Sequence, residues 1–220
     1  MIKTLIQRSQ RTISAIAPCT AMVMTAMLST SAMAHTGGDH LHTHDALGSF
    51  MSGALHPMGG LDHLAAMLSV GLWTALGAGV GTTRATQLWT APLAFAATLL
   101  LGALLALGGV QLPGVEPMIA ASLLVVGLLV ASRTQLSIGA GAGLVATFAL
   151  FHGLAHGQEL GGHAMAALTG MVLSTVVLHA SGIALGLALQ RRNHWWSRLA
   201  GGTVAGFGIS LLSPVLTGAL

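Results

Sequence analysis

Hydrophobic positions in this chain fall in long unbroken runs, without the strict alternation of strands or the narrow stripe of a water-facing helix. From residue 46 onward, apolar stretches occupy about 46–81, 88–110, 118–132, 136–154, 164–189 and 195–216, with short polar breaks between them. A helix crossing a bilayer needs about 20 apolar residues, so the pattern predicts an all-α polytopic membrane protein of about six spans. The stretch 118–132 is the shortest. The first stretch is longer than one span requires and contains Pro57, Gly59 and Gly60. It predicts a short helix, a break, and a spanning helix from about Leu61; two lengths here would raise the count to seven. Broken backbone at membrane depth is tolerated only where protein or a polar cavity satisfies it.

Composition supports this class. Charged residues make up 6% of the chain and hydrophobic residues 54%, whereas a soluble domain carries about 25% charged residues. Three basic residues, Lys3, Arg8 and Arg11, precede an apolar stretch at 13–28 and the small-residue sequence Ala32-Met33-Ala34. This reads as a cleavable signal peptide over residues 1–34; an uncleaved first membrane helix is the alternative. Without it, five arginines face five acids and the formal net charge is zero. The high isoelectric point therefore gives no reason to expect a nucleic-acid partner. The single cysteine, Cys19, lies in the same segment, leaving no thiolate ligand and no disulfide for the mature chain.

Residues 35–45 are polar and rich in histidine (His35, His40, His42, His44). They read as a metal-attracting periplasmic tail, with a hydrophilic spacer as the plain alternative. Residues 46–220 form the membrane domain. Arg84, Arg133, Arg191, Arg192 and Arg198 lie in alternate connections, and Glu116 and Glu159 in the others. The positive-inside rule puts the arginines in the cytoplasm and the mature N-terminus outside, as a signal peptide of the bacterial inner membrane requires. Pairs of glycines four apart (77 and 81, 139 and 143, 182 and 186, 202 and 206) read as helix-packing positions. No phosphate-binding or dinucleotide fingerprint is present.

Two polar clusters interrupt the apolar runs. The first is His56-Pro57-Met58-Gly59-Gly60-Leu61-Asp62-His63; the second is Phe151-His152-Gly153-Leu154-Ala155-His156-Gly157-Gln158-Glu159. His152, His156 and Glu159 fall within about 60° on one helical face. His163 would share that face only if the helix survived Gly161-Gly162. Asp62 reads either as a ligand or as a helix cap after Gly60. The topology brings both clusters to the outer face, as one site or two neighbouring ones. His179, midway along the fifth span, reads either as a deeper station or as a histidine bonded to a helix backbone. His194 reads as a surface residue, and Met58, Met67, Met165 and Met171 as packing. Ionisable groups within a membrane are costly and point to function. Imidazole and carboxylate suit Zn, Cu, Ni, Co or Fe, and ligand type alone does not choose among them.

At these clusters the chain resembles the HupE/UreJ family of hydrogenase and urease accessory proteins, which are nickel permeases. The resemblance is carried by His56-Pro57, Gly60, Asp62-His63, Ala66-Met67 and Val70-Gly71-Leu72-Trp73, and by Phe151 through Glu159. It implies Ni²⁺ uptake, with Co²⁺ as the usual ambiguity, and an essential set of His56, Asp62, His63, His152, His156 and Glu159. The expected protein is not an enzyme and holds no permanent cofactor, the metal being its transported substrate. Its expected partners are a divalent metal ion and the lipid bilayer, with homo-oligomerisation left open. A membrane metallohydrolase using Glu159 as base is the rival reading, weakened by the absence of a His-Glu-x-x-His sequence.

Overall fold

The computed structural model describes residues 45–78, 84–160 and 162–217. The signal-peptide segment, and the tail with His35, His40, His42 and His44, lie outside these residues. Among the described residues the chain forms seven helices: α1 (Ala46–Gly59), α2 (Leu61–Gly77), α3 (Ala85–Leu107), α4 (Val115–Ser132), α5 (Ile138–Glu159), α6 (Ala164–Gln190) and α7 (His194–Leu216). Four of them, α3 to α6, are long and apolar enough to cross a membrane, and α2 is a 17-residue apolar helix. Leu93, Leu101, Leu128 and Leu173 are each at least half exposed, an outer surface suited to lipid and not to water. The protein is a multi-pass membrane protein.

The long first stretch divides as its sequence predicts, but at Gly60 alone. Asp45 caps α1 by accepting from the Gly48 amide at 2.8 Å. The helix then runs through Pro57 to Gly59, although proline removes one helical hydrogen bond and crowds the preceding turn. Gly60 takes extended backbone angles and starts α2. Pro57 therefore does not make the break; it is a buried residue inside α1.

Short connections reverse the chain, so helices two or four apart run in the same direction. The contacts between α2 and α6 show this. Gly71 meets His179 and Ile183, while Gly182 meets Leu68 and Leu72. Likewise, in α3 and α5, Gly102 meets Leu150 and Leu154, and Gly153 meets Leu99 and Ala103. At each of these glycines a Cβ would collide with backbone of the facing helix. Apolar helices gain no hydrophobic drive to associate in lipid, so contact this close supplies the attraction through van der Waals packing. The antiparallel pair α4 and α7 meets similarly at Gly127 and Gly201.

Of the expected glycine pairs, Gly182 and Gly186 both lie in such a contact. The others among the described residues do not: Gly139, Gly143, Gly202 and Gly206 face open space, and Gly77 meets only the Gln135 side chain at 3.6 Å. Spacing of four marks a helical stripe but not whether a partner lies against it.

The arginine-bearing end is tied together. The Arg133 guanidinium donates to Ser197 Oγ at 2.9 Å and to the Leu189 carbonyl at 3.1 Å. The Trp73 indole donates to the Thr134 carbonyl at 2.8 Å, and Gln190 Nε2 to the Ala75 carbonyl at 2.6 Å. The ends of α2, α4 and α6 and the start of α7 thus share one end of the bundle. Met67 and Met171 are buried in the core, as packing residues should be, while Met58 and Met165 are exposed.

Gly182→Leu should lower the thermal unfolding midpoint in detergent substantially, since overpacking alone costs about 1–3 kcal/mol and here the clash is with backbone. Gly143→Leu, facing open space, should leave the midpoint within a few degrees. Equal midpoints would contradict the proposed packing.

Candidate metal centre

Three segments supply the site. The last turn of α1 presents His56, the first turn of α2 presents Asp62 and His63, and the last two turns of α5 present His152, His156 and Glu159. Gly60 makes the first two compatible. A Cβ at this position would stand 2.7 Å from Asp62 Oδ1, so a larger residue would displace the carboxylate from its place over the break. The N-cap of α2 is Gly60, and Asp62 lies in the first turn. Its Oδ1 lies 3.0 Å from His63 Nδ1, although the two are not aligned as a hydrogen bond. A carboxylate in the first turn is also favoured by the helix dipole.

On α5 the ligand stripe and the packing stripe are interleaved. His152 and His156 are each followed by a glycine, Gly153 and Gly157, and both glycines sit against α3. The close approach to α3 leaves both imidazoles, one residue back, fully buried.

The rings then meet across the helices. His56 Nε2 stands 2.9 Å from His156 Nδ1 and 3.5 Å from Glu159 Oε2. The His63 ring centroid lies 4.3 Å from that of His156 and 5.5 Å from that of His152. His56, His63 and His156 each offer a ligand nitrogen, all within 4.8 Å of one another. Nitrogens bound to one ion at about 2.1 Å lie at most about 4.2 Å apart, so small side-chain rotations would close the set on a cation. Asp62 and Glu159 flank it and would offset a divalent charge, which neutral imidazoles cannot do.

Burial deepens along the row. The His56 and Glu159 side chains are 40% and 36% exposed, and those of Asp62 and His63 22% and 14%. His152, His156 and His179 are buried. His63 Nδ1, His152 Nδ1, His156 Nε2 and His179 Nε2 are buried without a hydrogen-bond partner. Leaving such a group unpaired costs about 1–3 kcal/mol; His63 Nδ1 has the Asp62 carboxylate at 3.0 Å, and the other three are open to a ligand such as a cation.

Two of these nitrogens have a defined form. The Ser122 hydroxyl donates to the Ile119 carbonyl at 2.6 Å, so it can only accept from His152 Nε2–H, 3.1 Å away. His152 Nδ1 therefore carries a free lone pair. A carbonyl only accepts, so His179 Nδ1–H donates to Met67 O at 2.7 Å, and Nε2 carries the lone pair. Both are neutral, ligating tautomers fixed by the bond on the opposite nitrogen.

His163 is not brought to this row. The helix ends at Glu159, and His163 is an exposed residue preceding α6 whose backbone amide donates to Ser49 Oγ at 3.3 Å. His194 is exposed, at the start of α7. His179 is bonded to helix backbone through one nitrogen, as one of its two expected readings has it, and its other nitrogen has no partner. Sequence reasoning missed Ser122 and Phe95. Ser122 could have been noticed as a lone hydroxyl in an apolar span; nothing distinguishes Phe95 from core.

A family model described as HupE / UreJ protein matches residues 22–211. Protein HupE of Rhizobium leguminosarum bv. viciae is 36% identical over 176 residues, covering 79% of this chain and 89% of that protein. No solved structure matches it significantly. The chain belongs to the HupE/UreJ family.

His63→Ala should weaken equilibrium Co²⁺ binding by the purified protein about 10-fold or more, whereas Ser122→Ala, which frees only the His152 tautomer outside the three-histidine set, should have a much smaller effect. His163→Ala should stay within twofold of wild type. Equal affinities for His63→Ala and His163→Ala would show that the three-histidine set is not the binding site.

Proposed function

We propose that this protein is a Ni²⁺ permease of the bacterial inner membrane, with Co²⁺ as a second substrate, supplying metal for hydrogenase or urease maturation. The observation that carries this reading is the convergence of His56, His63 and His156, flanked by Asp62 and Glu159, at a partly exposed mouth of a membrane bundle. Membership of the HupE/UreJ family supports it.

In this reading α2 to α7 are six spans, residues 1–34 are a cleaved signal peptide, and the arginine-bearing end is cytoplasmic. The mature N-terminus and its histidines lie in the periplasm and raise the local metal concentration. His56 and Glu159 meet the hydrated ion first. His63 and His156 replace part of its water, Asp62 balances its charge, and His152 receives it deeper in the bundle. Binding spread over several partial sites lets the ion leave as well as enter, as conduction requires. No coupling ion is evident in the chain, so the permease works by facilitated diffusion down the metal gradient.

Proteoliposomes holding only the purified protein should accumulate ⁶³Ni, and His156→Ala should lose at least nine-tenths of that activity. Uptake by His156→Ala equal to wild type would contradict the imidazole entry site. Metal-dependent hydrolysis of lipid or peptide, without uptake, would favour an enzyme.

A further inference from the structure

The row of histidines is interrupted by one aromatic ring. Phe95 of α3 is 2% exposed. Its ring centroid lies 5.6 Å from that of His152 and 5.0 Å from that of His179. These two imidazoles have their opposite nitrogens pinned, by Ser122 and by the Met67 carbonyl, and hold an unpartnered lone pair each. His179 sits 15 residues after the start of α6, about 22 Å along the helix axis. It lies at the α2–α6 crossing, where Gly71 meets the His179 carbonyl.

We propose that Phe95 is a gate for the divalent cation, closing the passage between the outer histidine cluster and a deeper station at His179. The inference rests on the permease reading and adds to it the residue that controls passage. A phenyl ring offers no lone pair, so a cation released by His152 meets an apolar barrier. Hydrophobic constrictions of this kind gate by excluding water. A fixed lone pair on each of the two imidazoles beside the ring makes a short transfer productive once the ring turns aside. The Phe95 and His179 rings stand at 81° to each other, and rotation of the Phe95 side chain alone would open the way without moving a helix. Gly102, seven residues further along α3, fixes that helix against α5 by backbone contact. The side chain is therefore the movable part.

The test uses Co²⁺ as the probe, in proteoliposomes of the full chain enclosing a metal-sensitive dye, with equilibrium Co²⁺ binding measured on the same purified proteins. Initial uptake should rank Phe95→Ala above wild type and wild type above Phe95→Trp, each step severalfold. Co²⁺ affinity should stay within twofold, because the outer cluster is untouched. His179→Ala should cut uptake 10-fold or more while that affinity is retained. Should Phe95→Ala fail to fold, seen as lost Co²⁺ binding, Phe95→Val takes its place in the ranking. Any other order of the Phe95 variants overturns the gate, and wild-type uptake by His179→Ala overturns the deeper station. Wild-type liposomes that take up no Co²⁺ overturn the permease reading and the gate with it. Uptake by wild type that is indifferent to Phe95 overturns the gate alone.

Discussion

Backbone-to-backbone contact at glycine is the constraint on which the rest of this structure depends. Helices in a bilayer gain nothing from burying leucine against leucine instead of lipid, so they associate where backbones come close. Gly71 and Gly182 bring α2 to α6, and Gly102 and Gly153 bring α3 to α5. Each contact also positions chemistry. The first carries His179 onto the Met67 carbonyl. The second turns His152 and His156 toward His63 and His56.

Once placed, the imidazoles meet an electrostatic problem that a cation would solve. Among the described residues, ring nitrogens of His152, His156 and His179 are buried without a partner, and two carboxylates stand at the partly exposed end of the row. The carboxylates offset positive charge where water can still reach it. Deeper in, neutral imidazoles alone continue the row, with tautomers set by a serine hydroxyl and a backbone carbonyl. Strong attraction at the mouth and weaker, uncharged ligands further in are what passage needs, because an ion held by charge throughout would not leave.

Much of this was legible in the sequence. Long apolar runs placed every helix, with ends off by up to five residues, and the division of the first stretch followed from its length and its glycines. The i, i+4, i+7 spacing on α5 placed His152, His156 and Glu159 on one stripe. Less was legible where the outcome depended on a neighbouring helix. Pro57 looked like a breaker, yet α1 passes through it and Gly60 makes the break. Gly139 and Gly143 have the same spacing as Gly182 and Gly186, but no helix lies against them. Ser122 and Phe95 matter only through what they touch, and no spacing within α3 or α4 reveals a contact with α5 or α6.

The central claim is that His56, His63 and His156 share one cation. X-ray absorption at the metal edge, on purified full chain loaded with one equivalent of Ni²⁺ or Co²⁺, measures this directly. The outer-shell scattering should show about three imidazole rings around the metal, and two in His63→Ala. A spectrum of oxygen ligands alone, or one unchanged in His63→Ala, would contradict it.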